Sequence, residues 1–244
     1  AVAVPRVDVG ALFPEQVQHL DVRRNGIGVD GADIDLLAGP GLGQALEVEA
    51  AADDEEGAYR LGLVCGREGR AVGCNWAFAP VIDIDYNYHN PITNTRTYGS
   101  DPQRVLRLAR AYMQGIHECG LAVSIKHWPG DGVDGRDQHL VTSVNSLSVD
   151  EWNASFGTVY QGMIDAGAAT VMAAHIMQPA WSRALRPGIA DDAIMPASLA
   201  PELNLDLLRG RLGFNGLIVS DATSMTGMTA AMPRRQAVPR CIAA

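Results

Sequence analysis

The chain has 244 residues, 47% of them hydrophobic, with 26 glycines and 13 prolines. That is enough apolar mass to bury a sizeable core in one large domain or two modest ones. Nineteen basic residues against 28 acidic ones give a formal net charge of −9, a field that repels nucleic acid and anionic membrane surfaces but leaves room for a local anion site. No apolar run is long enough to cross a bilayer, so neither nucleic acid nor a membrane is expected as a partner.

The four cysteines, at positions 65, 74, 119 and 241, lack paired metal-ligand spacing and read as buried thiols in a reducing compartment. The opening residues AVAVPRVDVG lack a charged leader followed by a long apolar stretch. The expectation is a cytoplasmic location, with an extracellular one left open.

Along the chain, RNGIGVDGADIDLLAGPG can hold one strand between glycine-rich turns. Its GPGLG lacks the GxGxxG spacing of a dinucleotide fold. QALEVEAAADDEEGAYRLGLVCGREGRAVG reads as a helix, with an interruption expected at Gly57. NWAFAPVIDI (75–84) reads as a buried strand. DPQRVLRLARAYMQGIHECG (101–120) is helical: Asp101 caps, Pro102 suits the first turn, and Val105, Leu108, Ala109, Tyr112 and Ile116 recur at helical spacing. LAVSIKHW (121–128) is strand-like. SVDEWNASFGTVYQGMIDAG (148–167) is a helix with Ser148 and Glu151 in capping-box spacing. ATVMAAHIM (169–177) is a strand, PELNLDLLRGRLGF (201–214) a helix ending near Gly213, and GLIVSD (216–221) a short apolar strand.

Alternating strands and helices, with almost continuously apolar strands, predict a parallel sheet covered by helices. Polar motifs follow the apolar runs directly: DID, KHWPGDG, AHIM and SDATSM. Four such motifs at strand ends favour a TIM-type (β/α) barrel, whose chemistry collects on that face. A doubly wound sheet would concentrate them at one switch point.

In RDQH, Asp137 and His139 flank Gln138. A carboxylate beside an imidazole orients it and stabilises the protonated ring, which suits a general acid or base; a loop Asp and His satisfying backbone groups is the plain alternative. Asp131 and Asp134 could hold a cation, but the loop lacks calcium-hand spacing, and no compact zinc motif is present. Asp221 ends a strand and could attack an electrophilic carbon or cap the following helix. His175 suits either the core or substrate contact. Lys126 and His127 are adjacent, so both bind substrate only where the chain twists or bulges. Met225 suits packing or a pocket wall.

FAPVIDI, NPITNTRTYGSDP, KHWPGDGVDGRDQH, VMAAHI and GLIVSDATSM resemble, in order and spacing, the motifs of glycoside hydrolase family 3. The likeness runs from about residue 58 to the end. It is strongest to the branch containing β-N-acetylglucosaminidases, where the loop reads KHFPGHG followed by DSH. Asp131 stands where that loop has its second histidine, and Gln138 where it has serine.

The resemblance implies Asp221 as catalytic nucleophile and Asp137 with His139 as an acid/base dyad. It implies Arg96, Lys126 and His127 as sugar-binding residues, with His175 and Met225 beside them. The expected substrate is a β-linked glycoside or amino sugar, removed with retention; phosphorolysis and a non-catalytic carbohydrate-binding remnant are the alternatives. No cofactor or metal is implied. The family's early DxEGG-type loop is not placed: Asp53 to Gly57 resembles it superficially and reads as a helix start. The expected organisation is a single catalytic domain over 1–244, atypical over 1–57 and lacking a closing segment after 244. The barrel is therefore expected to be incomplete or modified, completed by a missing segment or by oligomerisation.

Overall fold

A computed structural model describes residues 52–244 of the chain. The strand expected within 24–41 lies outside the described residues. The first helix, α1 (Glu55–Ala71), starts behind Asp54 in extended conformation, with Glu55 and Glu56 in its first turn, where negative charge complements the helix dipole. It runs through Gly57 without a break. Asp53 forms ion pairs with Arg107 at 2.6 Å and Arg104 at 3.3 Å, so the DDEEG stretch is a helix start tied to the next helix.

That helix, α2 (Pro102–Glu118), begins as its sequence dictates: the Asp101 carboxylate accepts from the Gln103 backbone N–H, and Pro102 occupies the first turn. Its apolar stripe of Val105, Leu108, Ala109, Tyr112, Met113 and Ile116 is buried. Gly62 and Gly115 let α1 and α2 touch backbone to backbone, since a Cβ on either would overlap the carbonyl oxygen of Tyr112 or Tyr59.

Six strands follow in chain order: β1 (Trp76–Ala77), β2 (Ala122–Trp128), β3 (Ser143–Val144), β4 (Thr170–Ala173), β5 (Ile176–Met177) and β6 (Leu217–Ser220). The main sheet has the order β1-β2-β4-β6, and every pairing is parallel, with Trp76 opposite Ala122, Ser124 opposite Thr170 and Ala173 opposite Ser220. Chain order equals spatial order, without the reversal of a doubly wound sheet, so the arrangement is of the (β/α)-barrel type. The sheet does not close among the described residues.

Three expected elements differ in extent. The run 75–84 is a ladder strand only at Trp76–Ala77; beyond the Ala79–Pro80 bond the chain is extended and rejoins β2 through a single bridge, Val81 to Lys126. A proline cannot donate to a ladder, which is why the strand breaks there. The run 169–177 is two strands: β4 belongs to the main sheet, and β5 turns away to pair with β3. The helix over 148–167 carries its Ser148–Glu151 capping box but consists of α3 (Val149–Trp152), a π-helical turn (Asn153–Gly157) and α4 (Thr158–Asp165). The stretch Glu202–Arg211 is π-helical throughout.

The remaining helices are α5 (Pro179–Leu185), α6 (Thr226–Thr229) and α7 (Arg234–Ala243). At the end of β2, Trp128 meets Trp152 and Tyr160 edge to face, with centroids 5.7 and 4.8 Å apart. All three rings are fully buried, so this cluster fixes the strand end from which the polar loop departs.

Candidate active site at the carboxyl ends of the strands

Because the strands are parallel, the segments that follow them share one edge of the sheet. Behind β1 comes Asp83, behind β4 His175, and behind β6 Asp221, while Lys126 and His127 sit within the last turns of β2. The pairing of β2 with β4 shifts register between Ile125 and Trp128, so the chain is irregular at Lys126 and His127. Both side chains are buried.

Asp83 received no role from the sequence, yet it is the hub of the site's floor. Its Oδ2 lies 2.6 Å from His127 Nδ1, and its Oδ1 accepts from the backbone N–H groups of His127 (3.0 Å) and Asp131 (2.8 Å). Burial would raise this carboxyl; the His127 ring and the two backbone donors outweigh burial and hold it below its ordinary value. The signal in the sequence was an apolar run ending in DID.

Asp131 is also buried. Its Oδ1 accepts from Asn90 Nδ2 (2.8 Å) and from the Gly132 N–H (2.7 Å), and its Oδ2 accepts from Gln138 Nε2 (3.2 Å). Burial, and then the charge of Asp83, push it up to about 6. The cation reading of Asp131 and Asp134 fails on these contacts. Asp131 is engaged by amides, Asp134 by Arg136 at 2.6 Å and the Val144 N–H, and no metal-holding cluster occurs among the described residues.

Asp137 and His139 come together. One oxygen, Asp137 Oδ1, accepts from the His139 backbone N–H at 2.8 Å and lies 2.6 Å from His139 Nδ1. Nε2 is the ring edge turned away from Asp137, on a side chain that is half exposed. The carbonyls of Gln138 and His139 accept from the N–H groups of Gly227 and Thr226, each at 3.1 Å. These are donors of the first turn of α6, which a helix cannot satisfy internally, so the dyad's own backbone caps the helix that follows Asp221. Only glycine fits at 227: a Cβ there would overlap the Gln138 carbonyl oxygen.

The N–H of Asp221 donates to the Ala173 carbonyl at 3.0 Å, one step beyond the β4–β6 ladder, and its Oδ1 accepts from the Ala222 N–H at 2.7 Å. It does not cap α6; the residue before that helix is Met225, whose side chain makes no cap bond. The helix-cap alternative for Asp221 is therefore corrected. Met225 is buried at the end of this turn.

His175 is fully buried, with Nδ1 2.8 Å from Ser198 Oγ and Nε2 3.0 Å from the Ala222 carbonyl. A carbonyl only accepts, so Nε2 carries the proton and Nδ1 accepts from Ser198. Burial lowers its pKa below the ordinary value, against the raising effect of the Ala222 carbonyl and Asp221; His139 and His127 act in the lowering direction. Sequence reasoning did not find Ser198.

Arg96 lies in a 3-10 turn (Asn94–Arg96) of the long loop after Asp83. Asn90 ties that loop to Asp131 and to the Asp134 carbonyl, bringing it to the same edge of the sheet. The guanidinium reaches the Ile92 carbonyl at 3.5 Å.

Residues 41–244 match the glycosyl hydrolase family 3 N terminal domain. The chain is 58% identical over 195 residues to a beta-N-acetylglucosaminidase/beta-glucosidase from Cellulomonas fimi, covering 80% of this chain and 35% of that protein. It is 36% identical over 168 residues to a beta-hexosaminidase from Stenotrophomonas maltophilia (strain K279a), covering 69% and 46%. The solved structure of beta-glucoside phosphorylase BglX bound to 2FGlc superposes with a TM-score of 0.80 at 55% identity, over 81% of this chain and 35% of the other. A family 3 beta-N-acetylglucosaminidase from Paenibacillus sp. str. FPU-7 gives 0.74 at 30% identity, over 81% and 36%. The chain thus spans between a third and a half of the length of these relatives. With the barrel-type sheet and the convergence of motifs at its carboxyl edge, these likenesses leave one assignment: the chain belongs to glycosyl hydrolase family 3.

Proposed function

We propose that the protein is a retaining glycosidase removing β-linked N-acetylglucosamine or a related sugar, and that this barrel segment is its catalytic domain. The observation that supports it best is the 2.6 Å Asp137–His139 pair, whose backbone caps the helix immediately following Asp221. In the first step the Asp221 carboxylate attacks the anomeric carbon. The glycosidic C–O bond breaks, and His139 Nε2 gives its proton to the departing oxygen. Asp137, held on Nδ1, stabilises the imidazolium before the transfer and keeps the ring aimed. In the second step neutral His139 takes a proton from water as its oxygen attacks the anomeric carbon. The ester to Asp221 breaks, and two inversions give retention.

Lys126, His127 and Arg96 are assigned to sugar hydroxyls and the N-acetyl region, His127 through Nε2 because Asp83 occupies Nδ1. Met225 is assigned to the pocket wall. His175 is assigned to the carbonyl of Ala222, next to the nucleophile.

A second reading, phosphorolysis, is favoured by the likeness to BglX, named a beta-glucoside phosphorylase. A histidine acid/base places no second carboxylate beside the glycosyl ester, so an anionic phosphate meets less repulsion there than at a two-carboxylate site. The test is to give the purified full-length protein a β-N-acetylglucosaminide and a β-glucoside, with and without phosphate, and identify the products by NMR. Free sugar of retained configuration supports hydrolysis, and sugar 1-phosphate supports phosphorolysis. Absence of turnover and of any glycosyl adduct on Asp221 overturns both in favour of a carbohydrate-binding remnant. Asp221→Ala is expected to abolish turnover with the fold intact.

A further inference from the structure

Between residues 134 and 142 the chain is exposed or half-exposed at every position except Gln138, which is fully buried. Gln138 is therefore the fully buried side-chain anchor of the segment that carries the dyad, besides its backbone contacts with α6. That anchor has two ends: Nε2 donates to Asp131 Oδ2 and Oε1 accepts from the His175 backbone N–H, both at 3.2 Å. Asp131 and Gln138 are also polar positions at which the loop departs from the pattern it resembles, and the structure joins them to each other.

We propose that Asp131 is a positioning residue for the Asp137–His139 dyad, acting through the carboxamide of Gln138. The inference rests on the glycosidase reading above. Asp131 is itself fixed by Asn90 and Gly132 on Oδ1, so Oδ2 is the oxygen that meets Gln138. An ionised carboxylate satisfies every donor in this chain of contacts, from Asn90 to the N–H of His175.

Adding a proton to Asp131 weakens the arrangement. Oδ1 already accepts from two N–H groups, so the proton goes to Oδ2, which loses its charge and part of its acceptor capacity toward the NH2 of Gln138. Rotating the carboxamide would offer Oε1 to the new O–H, but would then set the NH2 in direct conflict with the N–H of His175. The titratable groups facing Asp131 are Asp83, His127 and, from α4, Tyr160. With burial and Asp83 raising it to about 6, this conflict falls within a pH range that an activity profile can sample.

Asp131→Asn removes the charge at every pH and sets an NH2, which cannot accept, against the NH2 of Gln138. The expected result at pH 7.5 is a fall in kcat of roughly 10- to 100-fold with little change in KM, and loss of the acidic limb expected of the wild type near pH 6. The compensating exchange Asp131→Asn/Gln138→Glu puts the acceptor on residue 138, where it faces both the NH2 introduced at position 131 and the His175 N–H. It is expected to restore most of kcat, an outcome that bulk loss of packing would not produce. In parallel, the Gln138 side-chain amide resonances of 15N-labelled protein are followed from pH 5 to 8, and thermal melts confirm that each variant folds. A midpoint near 6 in the wild type that vanishes in Asp131→Asn supports the proposal. A wild type that turns over substrate, with an Asp131→Asn variant of unchanged kcat and pH profile, overturns the proposal alone. A wild type without turnover on any glycoside overturns the glycosidase reading, and the positioning role with it.

Discussion

Two His–Asp pairs sit at the carboxyl edge of the sheet, with the same 2.6 Å separation between Nδ1 and a carboxylate oxygen. Their surroundings are opposite. The His127 and Asp83 side chains are 6% and 0% exposed; those of His139 and Asp137 are 51% and 24% exposed. Asp83 gives its second oxygen to two backbone N–H groups and so welds the β1 extension to the loop after β2. Asp137 commits one oxygen to its partner's ring and backbone, leaving His139 Nε2 open. One geometry thus serves as a fastener where water is excluded and, on the glycosidase reading, as a proton carrier where the ring is open to solvent. Bond length says nothing about which; burial and the remaining partners decide.

The largest expected effect separates the two pairs by activity. His139→Gln keeps size and polarity but removes the titrating ring. On the glycosidase reading, kcat falls by roughly 10²- to 10⁴-fold, while the melting curve shifts little because the side chain is half exposed. Steady-state kinetics with an activated aryl glycoside, alongside calorimetry, checks both halves. A variant with kcat within threefold of the wild type (about 0.7 kcal/mol) would remove His139 from the chemistry and return the dyad to a loop contact.

Next comes the buried pair, where stability should respond. Asp83→Ala strips acceptors from the His127 ring and from two backbone N–H groups. Leaving buried donors without their acceptor costs roughly 1–3 kcal/mol each, and denaturant unfolding of the variant measures the sum. An unfolding free energy within about 1 kcal/mol of the wild type would mean that Asp83 is not the fastener. A smaller, local disturbance is expected from Gly227→Ala, whose new Cβ meets the Gln138 carbonyl oxygen. It should displace the exposed dyad and spare the buried pair, reducing kcat roughly tenfold with modest loss of stability.

The same contrast separates what the sequence disclosed from what it did not. Asp137, His139 and Asp221 were legible because each stands at a strand end or in a polar loop, and because local spacing brings Asp137 to His139 whatever the rest of the chain does. The capping of α2 by Asp101 and of α3 by Ser148 was legible for the same reason. Asp83 was not, since its partners lie 44 and 48 positions away and only the folded sheet brings them near. Ser198 and the capping of α6 by the carbonyls of Gln138 and His139 are likewise products of tertiary approach. Strand limits failed where a proline cut the ladder at position 80 and where β5 left the main sheet for β3. Periodicity cannot signal either event.

The smallest expected effect is a difference in slope, and it tests whether burial governs the groups that link the two pairs. Burial acts on Asp131 and His175 with opposite consequences for stability. Asp131, raised from 3.8 to about 6, holds a proton in the folded state between those values that the unfolded chain has released. As pH falls through about 6 the folded state therefore gains stability from Asp131, and the gain is complete below 3.8. His175 is lowered from 6.5 by burial, so below 6.5 the unfolded chain takes up a proton that the folded state refuses, and stability is lost until the folded ring protonates. In the wild type the two trends oppose each other across mildly acidic pH. Thermal midpoints measured from pH 7 to pH 4 should therefore diverge: the advantage of the wild type over Asp131→Asn should grow as pH falls, and its advantage over His175→Gln should shrink. Parallel curves for the two variants would show that these groups titrate alike folded and unfolded, and the buried floor of the site would then lose its electrostatic distinction from the exposed dyad above it.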